Sequence, residues 1–457
     1  MSTISLYLGL VFILLGVLCL SSNFIFLIVR IAQRILGSNS LKIFIFVLFG
    51  LLIERIISLP NWSYEFWRFT TVVILGLEML SIVFSFITPN FFKKIHQIEK
   101  INFFTKSIFL ILFVTLGLSY LSVSYIGPID IPKDCKSDDI TKVYCVLDNP
   151  EDLVLTPDNS FLIVSEFGSL EETIPGQLSL FNLKSKLAAK IKINIIDKEW
   201  GEESCNRKEG DLLGPHGIDL IERDDGRHQL AVVNHAIRES IEMFELVYRE
   251  GWELDWKGCS APSKENFLND VSLKDNGNFF VTHMFDRHID AIDFLMISLF
   301  KYNTGYVLEW QKGKGFSKVK GSEGAMPNGI AYDNSNDTLY IAFNLGDEVK
   351  SIEARSGKVL AFNNFRGPDN IILKDNFLWV TSLDHEVLDV GLKCGLETAF
   401  CNLPFSIHKV DPATMEIKEL KAYQNSIFGL VSVALPVKDR IWLGSFQSDR
   451  IASIFIN

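Results

Sequence analysis

The sequence predicts an all-β six-bladed β-propeller preceded by an α-helical membrane domain of about four transmembrane helices. Three observations carry this. Residues 1–130 hold four long apolar stretches, whereas from residue 150 onward helical periodicity gives way to short β-rich runs. Those runs are separated by turn signals such as PDN, DDG, DNG and DNSND. They also repeat as a unit: a polar residue, an apolar strand, a turn and a second apolar strand, with copies beginning near Asp152, Gly217, Asp270, Gly329, Asn370 and Val431. Starts 65, 53, 59, 41 and 61 residues apart suit blades of several strands each. The sixth copy runs out at Asn457, so a strand from about 138–149 is expected to complete that blade and close the ring.

The apolar stretches lie at about 4–29, 42–60, 70–88 and 106–126, and a membrane-crossing helix needs roughly 20 residues. Glu54 and Arg55 interrupt the second, and Glu78 lies inside the third, either as an intramembrane functional carboxylate or as a group paired within the bundle. Basic residues concentrate in the first and third loops (Arg30, Arg34, Lys42; Lys93, Lys94, Lys100, Lys106). By the positive-inside rule both termini, and with them the large domain at 131–457, are expected on the extracytoplasmic side of a multi-pass integral membrane protein in contact with the lipid bilayer.

The net charge of −11 divides unevenly: residues 1–130 carry nine Lys/Arg and five Asp/Glu, and residues 131–457 carry 35 and 50. An acidic globular part argues against nucleic-acid binding and is compatible with cations. Six of the seven cysteines lie beyond residue 130. An even number permits disulfides, with Cys135–Cys145 and Cys394–Cys401 the first pairs to try and free buried thiols the alternative. Asn61 and Asn336 head glycosylation sequons.

Five oxygen-bearing residues open the repeated strands: Glu151, Asn269, Asn328, Asp369 and Asn370. In a propeller the innermost strands surround one channel, so residues at equivalent openings converge although more than 200 positions separate them. Two carboxylates and three amide carbonyls gathered there are the donor chemistry of a hard cation such as Ca²⁺. Taken singly, each is an ordinary turn or strand-opening residue.

Several separated segments then bear comparison with a known family: NPEDLVLTPDN, GPHGIDLI, LAVVNHAIRESIEMFE, FLNDVSLKDNGNFFVTH, PNGIAYD, GPDNIILKDNFLWV and SVALPVKDRIWLGSF. Across roughly 140–457 the chain resembles the paraoxonase/arylesterase family of calcium-dependent lactonases. The resemblance implies two calcium ions in the channel: a catalytic one held by Glu151, Asn269, Asn328, Asp369 and Asn370, and a structural one held by Asp152, Asp270 and the backbone carbonyl of Ile218. It further implies a dyad in which His216 is the general base and His235 orients it or relays its proton, acting on a small lactone or ester. The chain departs from the family at His283, preceded here by Thr282 rather than Asp. It also departs at 286–300, which reads as a shortened lid or as a buried blade strand, and in having no cysteine after Cys401 to tie the first strand to the last blade. Closure must then rest on strand pairing, or Cys145 pairs elsewhere. The alternatives are a gluconolactonase or senescence-marker-like lactonase, and a non-catalytic calcium-binding propeller of strictosidine-synthase-like type.

Overall fold

In the computed structural model the described residues are 134–456 apart from 169–173, 290, 386–388, 391–393, 395–399 and 425, together with 3–21, 38–57 and shorter stretches within 24–31, 72–83 and 110–118. The chain divides into two compact units, residues 1–130 with 388–396, and residues 131–387 with 397–457.

The second unit is a six-bladed propeller. Six sheets each start from an inner strand: Pro150–Leu155 (blade 1), Pro215–Glu222 (blade 2), Asn266–Leu273 (blade 3), Pro327–Asp333 (blade 4), Pro368–Lys374 (blade 5) and Val431–Val437 (blade 6). The expected closing strand is present: Thr141–Tyr144 pairs antiparallel with Ile451–Phe455 as the outer strand of blade 6, Thr141 facing Ile454. Cys145 pairs with Cys135 beside it, so the ring closes through strand hydrogen bonds. Blade 2 has a fifth strand that the repeat did not suggest, Lys192–Ile195, which lies parallel to Trp252–Ser260. Cys205 and Cys259 form a second disulfide across this blade, and Cys394 and Cys401 are disulfide-bonded as well.

Among the described residues, six apolar clusters each fill the gap between two neighbouring blades. The sixth, with Leu153 and Leu162 against Val433 and Trp442, joins blade 6 to blade 1. Burying apolar surface on both faces of every blade makes closure favourable at each seam.

The expected membrane-spanning helices are not found among the described residues. Among the described residues, α1 spans Thr3–Leu18 and α2 spans Asn39–Ile57, and no helix is long and apolar enough to cross a membrane. Sixteen residues in α1 reach about 24 Å at ~1.5 Å per residue, short of a hydrocarbon layer of about 30 Å. Lys42, Glu54 and Arg55 all fall within α2. This overturns the four-helix membrane domain and, with it, the multi-pass, extracytoplasmic placement. The stretches read at 70–88 and 106–126 lie partly, and Glu78 wholly, outside the described residues.

The apolar segment after His283, left open between a lid and a blade strand, is decided by the structure. It is a helix, α3 (Ala291–Phe300), not a blade strand. Ile297 is buried against Ala325 and Leu345, while Met296 and Phe300 are exposed.

Candidate metal centre and histidine pair

Each inner strand slips register against its neighbour at one address. The slip falls between Pro150 and Asp152, Pro215 and Ile218, Leu268 and Val271, Pro327 and Ile330, Pro368 and Ile371, and Val431 and Ala434. Such an irregularity re-aims the side chains within it. Four of the six slips begin at a proline, which opens the strand and has no N–H for the ladder. The residue that follows is Glu151, His216, Asn328 or Asp369; Asn269 and Ser432 hold the same place in blades 3 and 6. Neighbouring slips meet so closely that two carry glycine for steric reasons. A Cβ on Gly217 would lie 2.5 Å from Asp270 Oδ1, and one on Gly329 would lie 2.4 Å from the Asp369 carbonyl oxygen.

Glu151, Asn269, Asn328, Asp369 and Asn370 are all buried. Asn370 Nδ2 donates to Glu151 Oε1 (3.2 Å), His216 Nε2 is 3.7 Å from the same oxygen, and Asn269 Nδ2 is 3.3 Å from His216 Nε2. Asn328 hydrogen-bonds Asp369. Four oxygens of this group are without hydrogen-bond partners: Glu151 Oε2, Asn269 Oδ1, Asn328 Oδ1 and Asn370 Oδ1 are buried and orphaned. A buried acceptor left unmade costs about 1–3 kcal/mol, so four from one residue set make a place that suits an electropositive partner.

Asp152 and Asp270 differ. Asp152 accepts the N–H groups of Leu153 (2.8 Å) and Ile218 (2.7 Å), and Asp270 accepts those of Val271 and Ile330 (2.8 Å each). Ile218 thus reaches the set through its N–H. Asp152, Ile218, Asp270 and Asn370 line a cavity of about 250 Å³ in the channel.

The electrostatics follow from crowding. Burial pushes the Glu151 carboxyl well above its ordinary range, and the charges of Asp152, Asp369 and Asp270 raise it further. Burial raises Asp369 to about 8 against the opposing Asn328 hydrogen bond, and Asp152 to about 7 against two backbone hydrogen bonds. Burial, then the charge of Asp152, lifts Asp270 well up too. Among the described residues no group of three or more His, Cys, Asp or Glu is arranged to hold a metal ion. The candidate set has two carboxylates, so it depends on its amide oxygens.

His216 and His235 are brought together, Nδ1 of His216 lying 2.8 Å from Nε2 of His235. Both are buried, with Phe167 packed on His216 (ring centroids 4.8 Å apart) and Phe267 stacked on His235 (4.7 Å). Burial and the neighbouring imidazole hold His216 well below its ordinary pKa, so it stays neutral. His283 is engaged elsewhere: its Nδ1 accepts the Phe267 N–H (3.3 Å) and its ring meets Tyr306 edge-on. Sequence reasoning missed the prolines that announce four of the six addresses, which the sequence displays, and Glu239, which lies beside His235.

No family model matches the chain and no curated protein matches it. Solved structures similar to it include a luciferin-regenerating enzyme (13% identity, TM-score 0.42, covering 68% of this chain and 92% of that one) and a putative gluconolactonase (11%, 0.42, 72% and 97%). Another is regucalcin from Agrobacterium tumefaciens, described as a calcium-binding protein (11%, 0.38, 68% and 92%). Likeness at this level carries no argument about chemistry, and membership of the paraoxonase/arylesterase family is not shown by it.

Proposed function

We propose that the propeller is a calcium-dependent hydrolase of lactones or aryl esters, with lactones the first class to test. The observation that supports it is the set of four orphaned buried oxygens on Glu151, Asn269, Asn328 and Asn370, beside the hydrogen-bonded His216–His235 pair. With Asp369, these residues would hold the ion, whose two positive charges match the two carboxylates. A bound Ca²⁺ supplies Lewis-acid polarisation of an ester carbonyl. The chain's own part is the proton. His216 Nε2 takes a proton from water as the water oxygen attacks the carbonyl carbon, and returns it to the alkoxide as the ring or ester C–O bond breaks. In the resting structure the Asn269 amide occupies that nitrogen, so the water must take its place. Asp152 and Asp270 have their oxygens engaged by backbone N–H groups, which gives no separate ground for a second ion. One ion per chain is the expectation, measured by isothermal titration.

The test is hydrolysis of a lactone panel and phenyl acetate by the full chain, with Ca²⁺ and with chelator, beside Asp369→Ala and His216→Gln. Calcium-dependent turnover lost in Asp369→Ala supports the reading, and a loss on the order of 10²–10⁴-fold in His216→Gln assigns the base. Tight calcium binding without turnover on any substrate would leave a binding propeller.

A further inference from the structure

We infer that Glu239 is a positioning residue that fixes the proton arrangement of the His216–His235 pair, and that Arg287 anchors it; this rests on the hydrolase reading above. Glu239 is buried, with Oε1 2.7 Å from His235 Nδ1 and paired with the Arg287 guanidinium, and Oε2 3.4 Å from the Leu268 N–H. An ionised carboxylate only accepts hydrogen bonds. His235 Nδ1 therefore carries the proton, and in the neutral ring Nε2 is the acceptor. That nitrogen faces His216 Nδ1 at 2.8 Å, so His216 Nδ1 is the donor and His216 Nε2 is left bare. The Asn269 amide N–H₂ facing His216 Nε2 agrees with this direction. Without Glu239 the reverse arrangement is as good for the pair, and it would aim an N–H from His216 at the place where a base is needed.

The backbone is bent to make the contact. Between His235 and Glu239 the chain turns back, holding the β-branched Ile237 at φ 68°, a left-handed conformation that L residues rarely adopt. Asn234 Nδ2 secures the turn by donating to the carbonyls of Ala236 (2.9 Å) and Arg238 (3.1 Å). Arg287 arrives from blade 3, one residue past the strand Phe279–Asp286 and four before α3. Its guanidinium also lies 5.9 Å from the centroid of Phe267, the ring stacked on His235. Arg287 therefore links the segment leading into α3 to the carboxylate that orients the pair.

The test uses the full chain labelled with ¹⁵N-histidine, its resonances assigned with His216→Gln and His235→Gln. Wild type is expected to show both rings protonated at Nδ1, and Glu239→Gln to show His235 mixed between tautomers. In Glu239→Gln kcat should fall on the order of 10²-fold or more with KM within about threefold, as when a triad carboxylate becomes an amide. Arg287→Gln, which leaves the carboxylate in place, should lower kcat about tenfold in the same direction and serves if Glu239→Gln does not fold. Unchanged tautomers with kcat within about threefold of wild type in either variant would overturn the inference and leave the hydrolase reading intact. An inactive wild type whose His235 tautomer still changes in Glu239→Gln would overturn the hydrolase reading and leave the positioning role standing.

Discussion

Asp152 and Asp270 occupy the same six-strand address as Glu151, Asn269, Asn328, Asp369 and Asn370, yet the two groups are finished differently. Each of the two aspartates accepts one N–H from its own strand and one from the next blade, Asp152 from Ile218 and Asp270 from Ile330. They act as staples between blades 1 and 2 and between blades 3 and 4. The other group turns four oxygens toward no donor at all. Burial and repulsion strain both groups, but the chain itself engages every carboxylate oxygen only in the staples. What separates a structural acid from a candidate ligand here is therefore saturation, since charge and burial are shared.

The comparison is tested most strongly by cutting one member of each group. Asp369→Ala should lower calcium affinity on the order of 10²-fold or more, since it removes one of two charges from the set. It should leave the chelated chain as stable as wild type or more so, because a buried carboxyl with little hydrogen bonding is gone. Asp270→Ala should do the opposite. Two buried N–H groups lose their acceptor, so the chelated chain should lose about 2–4 kcal/mol, while calcium affinity falls less than in Asp369→Ala. Urea midpoints in chelator, paired with calcium titrations of the same samples, read both. If Asp270→Ala leaves the urea midpoint unmoved, the aspartates are not staples and the distinction collapses.

A smaller effect concerns the ring that carries the address. Cys205 and Cys259 are separated by 54 residues and tie the loop ahead of His216 to an outer strand of blade 2. Replacing both by Ser should destabilise the chain by about 2–4 kcal/mol. Cys135–Cys145, with a separation of 10, should matter less. Thermal midpoints of the two double-Ser variants compare them directly.

The convergence of the five oxygens was legible because a propeller turns a repeat in sequence into an address in space. The prolines before Glu151, His216, Asn328 and Asp369 make that address visible twice over. The closing strand was legible for a related reason: a sixth blade one strand short has a single place to find the missing one. What stayed hidden depends on backbone detail or on apolar runs without a period. Glu239 meets His235 only because Ile237 takes a left-handed turn, and nothing in the letters AIRE requires it. Cys205 reaches Cys259 through a fifth strand that runs parallel, outside the repeat. Hydropathy alone misled at the N-terminus, where the apolar stretch at 4–29 exceeds the length of α1 and α2 carries Lys42, Glu54 and Arg55, and it left open at 291–300 a choice that the structure resolves as a helix.

The smallest expected effect distinguishes the two groups through protons. In chelated protein Asp369 titrates near 8 and Asp152 near 7, against 3.8 for an ordinary aspartate. Between about pH 4 and pH 8 the folded chain therefore keeps protons that the unfolded chain has released. Unfolding then releases protons, and stability falls as pH rises through that window. Calcium should reverse the trend at its own ligands, since a bound cation favours the ionised carboxylates and displaces their protons. The thermal midpoint in chelator should thus drop from pH 5 to pH 8, and excess calcium should flatten or invert the slope. Asp369→Ala should make the chelated slope shallower and leave the parts due to Asp152, Glu151 and Asp270, whose carboxyls are also raised. A chelated midpoint that rises over this range would mean that these carboxylates are ionised without the metal, and the orphaned oxygens would then need another partner.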